Sequence, residues 1–238
     1  MTRLRLLVLL PALVACGVEF SEPLLDTSAV FSVGVELTDS LPRGEVQVSG
    51  ALWTGYTADG AERAVTDASF QVLGRTIGPA PGPMTDSRWT VRYYETWGLD
   101  PDLPLGSVEV EAPAVAGIEE TAPLLRLTPP WRMGPASVSV APGAPLRLEL
   151  ATAVEPADSV FEYWRLDLVK DGRGVAEMSA TGPVPSTVEV PWAMLAGLAD
   201  GGEARLYVYQ SVNAPAGRRY RGGLALRTSH VWFVTVEP

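Results

Sequence analysis

Residues 31–37 read FSVGVEL: Phe31, Val33, Val35 and Leu37 are apolar, and Ser32, Gly34 and Glu36 stand between them. An apolar residue at every second position marks a strand with one buried face, because successive side chains of an extended chain point to opposite sides. The same period recurs outward from this stretch. Val46 and Val48 follow it, then Phe70 and Val72, then Trp89, Val91 and Tyr93, then Val108 and Val110. After LTPPWRMGP (residues 127–135) it restarts with Leu146, Leu148 and Leu150, then Leu166 and Leu168, Leu206 and Val208, and Val231 and Phe233. Helical periodicity is confined to PWAMLAGLA (residues 191–199), where Pro191 suits a first helical turn. Short alternating runs separated by Gly, Pro and Asp turns predict an all-β chain of antiparallel sandwiches.

Composition agrees with packed domains. Apolar residues make up 47% of the 238, enough for real cores, and 23 glycines and 21 prolines supply the turns. The formal charge is −10, which opposes nucleic-acid binding and electrostatic adhesion to anionic lipid. Lys170 is the only lysine and Cys16 the only cysteine, so no disulfide is available.

Cys16 ends a distinctive opening. Arg3 and Arg5 precede an apolar run from Leu6 to Ala15, a basic start and short apolar core of the kind that directs export. Ten residues are about half of what a spanning helix needs. Leu13-Val14-Ala15-Cys16 resembles the lipobox of bacterial lipoproteins. That resemblance implies cleavage after residue 15, diacylglycerol on the Cys16 sulfur and acylation of the new amine. Several acyl chains on one residue hold a protein firmly to a bilayer, since each buried methylene contributes about 0.8 kcal/mol. Gly17, where inner-membrane lipoproteins of the family tend to carry aspartate, leans the expectation towards the outer membrane. Removal of Arg3 and Arg5 with the leader makes the charge balance about −12.

The organisation expected is a signal peptide over 1–15, a lipidated tether over 16–27, and two sandwich domains over 28–127 and 128–238. The second boundary rests on Pro129-Pro130, because proline cannot pair inside a central strand and stiffens a linker. In the first domain, VTDASFQVLG (residues 65–74) looks like a phrase of transthyretin-like and carboxypeptidase-regulatory-like sandwiches. In the second, LAGLADGGEARLYVYQSVNAPAG (residues 195–217) is similar to the later half of a fibronectin type III domain, with Tyr207, Tyr209, Asn213 and Gly217 in the matching places. That family usually has tryptophan in its second strand, where Leu148 stands here. Both resemblances imply Ig-like sandwiches.

Catalytic chemistry finds little support. His230, the only histidine, lies in SHVWFVTV (residues 229–236), a strand pattern without a nucleophile elbow, and reads as a hydrogen-bonded strand residue. Zinc sites need several Cys or His ligands, and phosphate-binding glycine loops do not occur. Glu109 and Glu111 share the polar face of one strand and read as solvated acids, not a hydrolytic pair. Asp100 and Asp102 supply too few oxygens for calcium. Arg218, Arg219 and Arg221 form a small basic patch at a turn.

Aromatic residues carry the remaining signal. Tyr56 and Trp97 fall in predicted loops and Tyr94 opposes the core-facing Tyr93, so Tyr56, Tyr94 and Trp97 are the candidate ligand-binding residues. The sequence therefore leads to an expectation: a membrane-anchored envelope lipoprotein, a binding or scaffolding module without catalytic residues, cofactor or metal. Its partners would be the membrane, through Cys16, and an envelope protein or glycan. A carbohydrate-binding module using the first-domain aromatics is the alternative, and a carboxylate hydrolase the contrasting class.

Overall fold

The computed structural model describes residues 27–39, 45–56, 62–64, 69–78, 91–98, 107–112, 114, 118–151, 160–198, 201–215 and 219–237. The leader, Cys16, the tether as far as residue 26, Trp89, Asp100, Asp102, Gly217 and Arg218 lie outside the described residues. Among those described, no helix is long and apolar enough to cross a membrane.

The alternating stretches become strands. β1 (Thr27–Asp39), which contains FSVGVEL, pairs antiparallel with β2 (Glu45–Tyr56), and β3 (Glu62–Ala64) lies on the far side of β2. β4 (Phe70–Val72) and β5 (Arg75–Ile77) form a hairpin through Leu73 and Gly74, both at positive φ. β6 (Val91–Gly98) returns to β2, and β7 (Val108–Glu111) and β8 (Leu124–Leu127) complete a four-stranded sheet in the order β5-β4-β7-β8. β9 (Trp131–Arg132), β10 (Ser137–Val140) and β11 (Leu146–Ala151) follow. β12 (Phe161–Lys170) and β13 (Arg173–Thr181) turn at Asp171-Gly172, again both at positive φ, the pairing that suits a two-residue hairpin. After β14 (Thr187–Val190) comes α1 (Trp192–Leu195), the one α-helix among the described residues, extended by a tighter turn at Ala196–Leu198. Pro191 caps it with extended backbone. The chain closes with β15 (Gly202–Asn213) and the 17-residue β16 (Tyr220–Val236).

The fold is all-β and built as a sandwich with one long layer. A nine-stranded sheet runs β13-β12-β15-β16-β1-β2-β3, with β6 also on β2 and β10 also on β16. Most pairs are antiparallel, as expected, but β16 pairs parallel with both β1 and β10. A hairpin cannot make a parallel pair. Ala29–Asp39 reach Tyr220–His230 only after nearly two hundred intervening residues, and β10 takes the remaining Phe233–Val236 end to end with β1.

Two small sheets cover one face of the long one. Under β5-β4-β7-β8 lies a cluster holding Phe31, Val33, Val35, Leu37, Phe70, Ile77, Val110 and Leu127, together with Val212, Tyr220, Leu224 and Leu226 from the last hairpin. Beneath β14-β11-β9 and α1 lies a second, holding Leu146, Leu148, Leu166, Val190, Leu206, Val208, Trp232 and Val234. The hairpin β15–β16 thus feeds both cores. Between its two contributions sit the buried polar residues Gln210, Thr228 and His230, with Glu162 on the neighbouring strand. Glu162 accepts hydrogen bonds from Val184 N–H at 2.6 Å and Gln210 Nε2 at 2.7 Å. This polar seam is where the two oils are kept apart within one continuous sheet.

Pro129-Pro130 crosses that seam. Both prolines are buried, and the Pro130 carbonyl accepts a hydrogen bond from His230 Nε2 at 2.9 Å. The pair therefore marks where the chain passes from one covering sheet to the other. It does not coincide with a division of the cores, since Val212, Tyr220, Leu224 and Leu226 belong to the first cluster.

Candidate functional site

The other face of the long sheet is not covered by either small sheet. Its residues follow from the same alternation that fills the cores. Leu206 and Val208 point into the second core, so Arg205, Tyr207 and Tyr209 point out. By the same rule Phe161, Tyr163, Arg165 and Asp167 face out from β12, Ala225, Arg227 and Ser229 from β16, Gly34 and Glu36 from β1, and Gln47 and Ser49 from β2.

Strand register arranges these side chains in rows. Tyr163, Tyr209, Arg227, Glu36 and Gln47 stand side by side across five strands. The next row is Phe161, Ser211, Ala225, Gly34 and Ser49. Ser211, Ala225, Gly34 and Ser49 are all small, so across β15, β16, β1 and β2 the large row stands beside a low shelf, at a groove of about 470 Å³. Gly34 keeps the shelf low: a Cβ there would meet the Ser49 hydroxyl at 3.0 Å. The rings remain exposed, Phe161 by 51%, Tyr209 by 40% and Tyr163 by 36%. Phe161 and Tyr209 meet edge to face, with centres 6.2 Å apart.

Charge at the groove is organised around Tyr207. The guanidinium carbons of Arg165 and Arg227 lie 5.5 and 5.4 Å from its ring centre, within range of attraction to the π face. Arg165 also binds Asp167 at 2.9 Å, and Arg205 binds Glu203 at 2.6 Å. The Asp167 charge raises the pKa of Arg165, and the hydrogen bond to Glu203 raises that of Arg205, so both stay cationic. Arg227 is different. It forms only an open ion pair, with Glu36 at 3.8 Å, too far for a hydrogen bond.

Of the residues singled out from sequence, Tyr94 is the register partner of the shelf residue Ser49 on the next strand, β6, whereas Trp97 and Tyr56 lie away from the groove. Trp97 is in strand β6, not a loop, opposite Val46. It is half-buried, packs against the first core and carries the Arg75 guanidinium 4.8 Å from its ring centre. Tyr94 is opposite Ser49, and Tyr56 is seven residues further along β2, opposite Thr27. Seven residues of strand span about 23 Å, so the register does not gather the three. The side chains of Tyr56 and Tyr94 lie outside the described residues. Trp97→Ala is therefore expected to lower stability by about 2 kcal/mol, roughly half the cost of a fully buried tryptophan, read as an earlier urea midpoint. An unchanged midpoint would remove Trp97 from the core.

The other candidates resolve as follows. His230 is fully buried, its ring between Trp131 and Trp232, and its Nε2 carries the proton donated to Pro130. Glu109 pairs with Arg126 on the outer face of the first small sheet, and Glu111 is exposed nearby. The Arg219 N–H is held by Glu120, and Arg221 is exposed at the start of β16. Among the described residues no three His, Cys, Asp or Glu side chains gather as a metal site would require. The sequence signal for the groove lies in β15: Tyr207 and Tyr209 are polar-tipped aromatics in the outward phase of a strand whose inward phase holds Leu206 and Val208.

No protein-family model matches the chain, and no curated protein matches its sequence. The roles of these residues therefore rest on geometry.

Proposed function

We propose that this protein is a non-catalytic binding or scaffolding module of the bacterial cell envelope. Lipid on Cys16 anchors it, with the outer membrane as its expected location, and the uncovered sheet face receives its partner. One observation carries the reading: an exposed row of aromatic rings and cation–π-held arginines stands over a shelf of small residues. Tyrosine and arginine dominate binding hot spots because they combine large contact area, few rotatable bonds and directional donors. The sole histidine is committed to a backbone carbonyl inside the protein, which supports binding over acid–base catalysis.

The test uses the full chain in its native envelope. Crosslinking should capture envelope material on the wild type, and Tyr209→Ala should lose it while keeping the thermal midpoint, since Tyr209 is exposed. Capture that survives Tyr209→Ala excludes the groove. Cys16→Ser should leave the detergent phase or keep its leader, and should carry no fatty-acid label; partition like the wild type would refute the anchor.

A further inference from the structure

Resting on the groove reading above, we propose that its occupant is an anionic polysaccharide: sugar rings packed on Tyr163 and Tyr209, with a carboxylate held by Arg227.

Length comes first. The shelf crosses β15, β16, β1 and β2 through Ser211, Ala225, Gly34 and Ser49. Three inter-strand spacings make about 14 Å, room for a chain of several rings and more than a single small sugar needs. Its lip is lined by side chains that suit a polyol: Gln47 offers an amide, and Ser49 and the tyrosines offer hydroxyls.

Ring stacking supplies the apolar part. Tyr163 and Tyr209 are direct neighbours across β12 and β15, and Phe161 abuts Tyr209. Sugar rings present C–H faces that pack on aromatic surfaces, and half-exposed rings on a rigid sheet lose little freedom on binding.

Charge selects the acid form. Arg165 and Arg205 are already bound to carboxylates within hydrogen-bond range, whereas Glu36 stays 3.8 Å from Arg227. Tyr207 holds the Arg227 guanidinium in place beside Tyr209, its cross-strand neighbour. In so open an ion pair the planar fork keeps N–H donors turned to the groove, and it matches a carboxylate in a way that an ammonium cannot. The protein as a whole is acidic, with a formal charge of −10, so it repels polyanions in general. An anion without rings would gain no stacking on the tyrosines to offset that repulsion.

Three polymers separate these terms: polygalacturonate, its methyl ester and polyglutamate, titrated calorimetrically against the full chain in detergent. Polygalacturonate should bind at least tenfold more tightly than either of the others. Arg227→Gln should reduce polygalacturonate to the level of the ester and leave the ester unchanged. Tyr209→Ala should weaken both sugar polymers, at an unchanged thermal midpoint. Equal affinity for acid and ester, or no effect of Arg227→Gln, would overturn the carboxylate contact; equal binding of polyglutamate would overturn the role of the rings. If none of the polymers binds while Tyr209→Ala still abolishes envelope capture, the ligand class is wrong and the groove stands, its partner then being a protein. Failure of Tyr209→Ala to affect envelope capture removes the groove reading itself.

Discussion

Gly222→Ala is expected to cost more than 4 kcal/mol and to prevent the native fold at moderate temperature. Gly222 lies within β16 at φ +113°, a conformation open to glycine and strained for any residue with a Cβ. Space is worse than strain. A Cβ at this position would fall 1.7 Å from the Phe31 carbonyl oxygen, which is backbone and cannot rotate away. Phe31 is the register partner of Gly222 in the parallel β1–β16 pair, and its ring is fully buried. Relieving the clash means separating the two strands that close the first core, a loss in the exceptional range for one substitution. Gly34→Ala is the control. There the nearest atom is the Ser49 hydroxyl, at 3.0 Å, which can turn aside, and φ is ordinary. Its effect should stay within about 1 kcal/mol of wild type, since alanine also reduces the freedom of the unfolded chain. Urea unfolding followed by tryptophan fluorescence measures both. Equal, small effects would mean that β1 and β16 are not paired as described.

Residues 28–127 expressed alone are expected to lack a cooperative fold. This differs from the expectation that a boundary at residue 128 separates two self-sufficient domains. The first core takes Val212, Tyr220, Leu224 and Leu226 from the last hairpin, all buried. At about 1.5–3 kcal/mol for each buried side chain, their loss amounts to roughly 6–12 kcal/mol. That is comparable to the whole stability of an ordinary domain, about 5–15 kcal/mol. β1 would also lose its eleven-residue pairing with β16 and present an open edge. Circular dichroism of the fragment should show no sharp urea transition, and mixing with residues 128–238 should restore one. A sharp transition for 28–127 alone would show that the first core closes without the hairpin.

Much of the strand content is written in local pattern. FSVGVEL, LRLELA (residues 146–151) and the Leu206/Val208 alternation each have polar residues in the outward phase, so side-chain period alone assigns their faces, and the buried residues are the ones expected. Where apolar residues occupy both phases the pattern loses its phase. In SHVWFVTV the expected inward pair is Val231 and Phe233, yet Trp232 and Val234 are buried and Phe233 is 45% exposed. Pairing with β15 sets that choice: Trp232 lies opposite Ala204 and Phe233 opposite Glu203. Trp97 misled for a related reason. WGLDPD (residues 97–102) looks like a turn, but β6 continues to Gly98 against β2.

The chain's own order of residues was enough for the all-β class, the short helix after Pro191, the acidic charge balance and a histidine held in a strand. These depend on neighbours one to four positions apart, where steric period and turn chemistry act directly. The parallel match of β1 to β16, the polar seam between the cores and the groove came only with the tertiary structure. Each joins residues a hundred or more positions apart, such as Gly34 with Ala225 and Pro130 with His230. No local preference encodes such contacts. They form because a long last strand can bury one face under two small sheets at once, and that leaves its other face, with Tyr207, Tyr209 and Arg227 on neighbouring strands, turned to the outside.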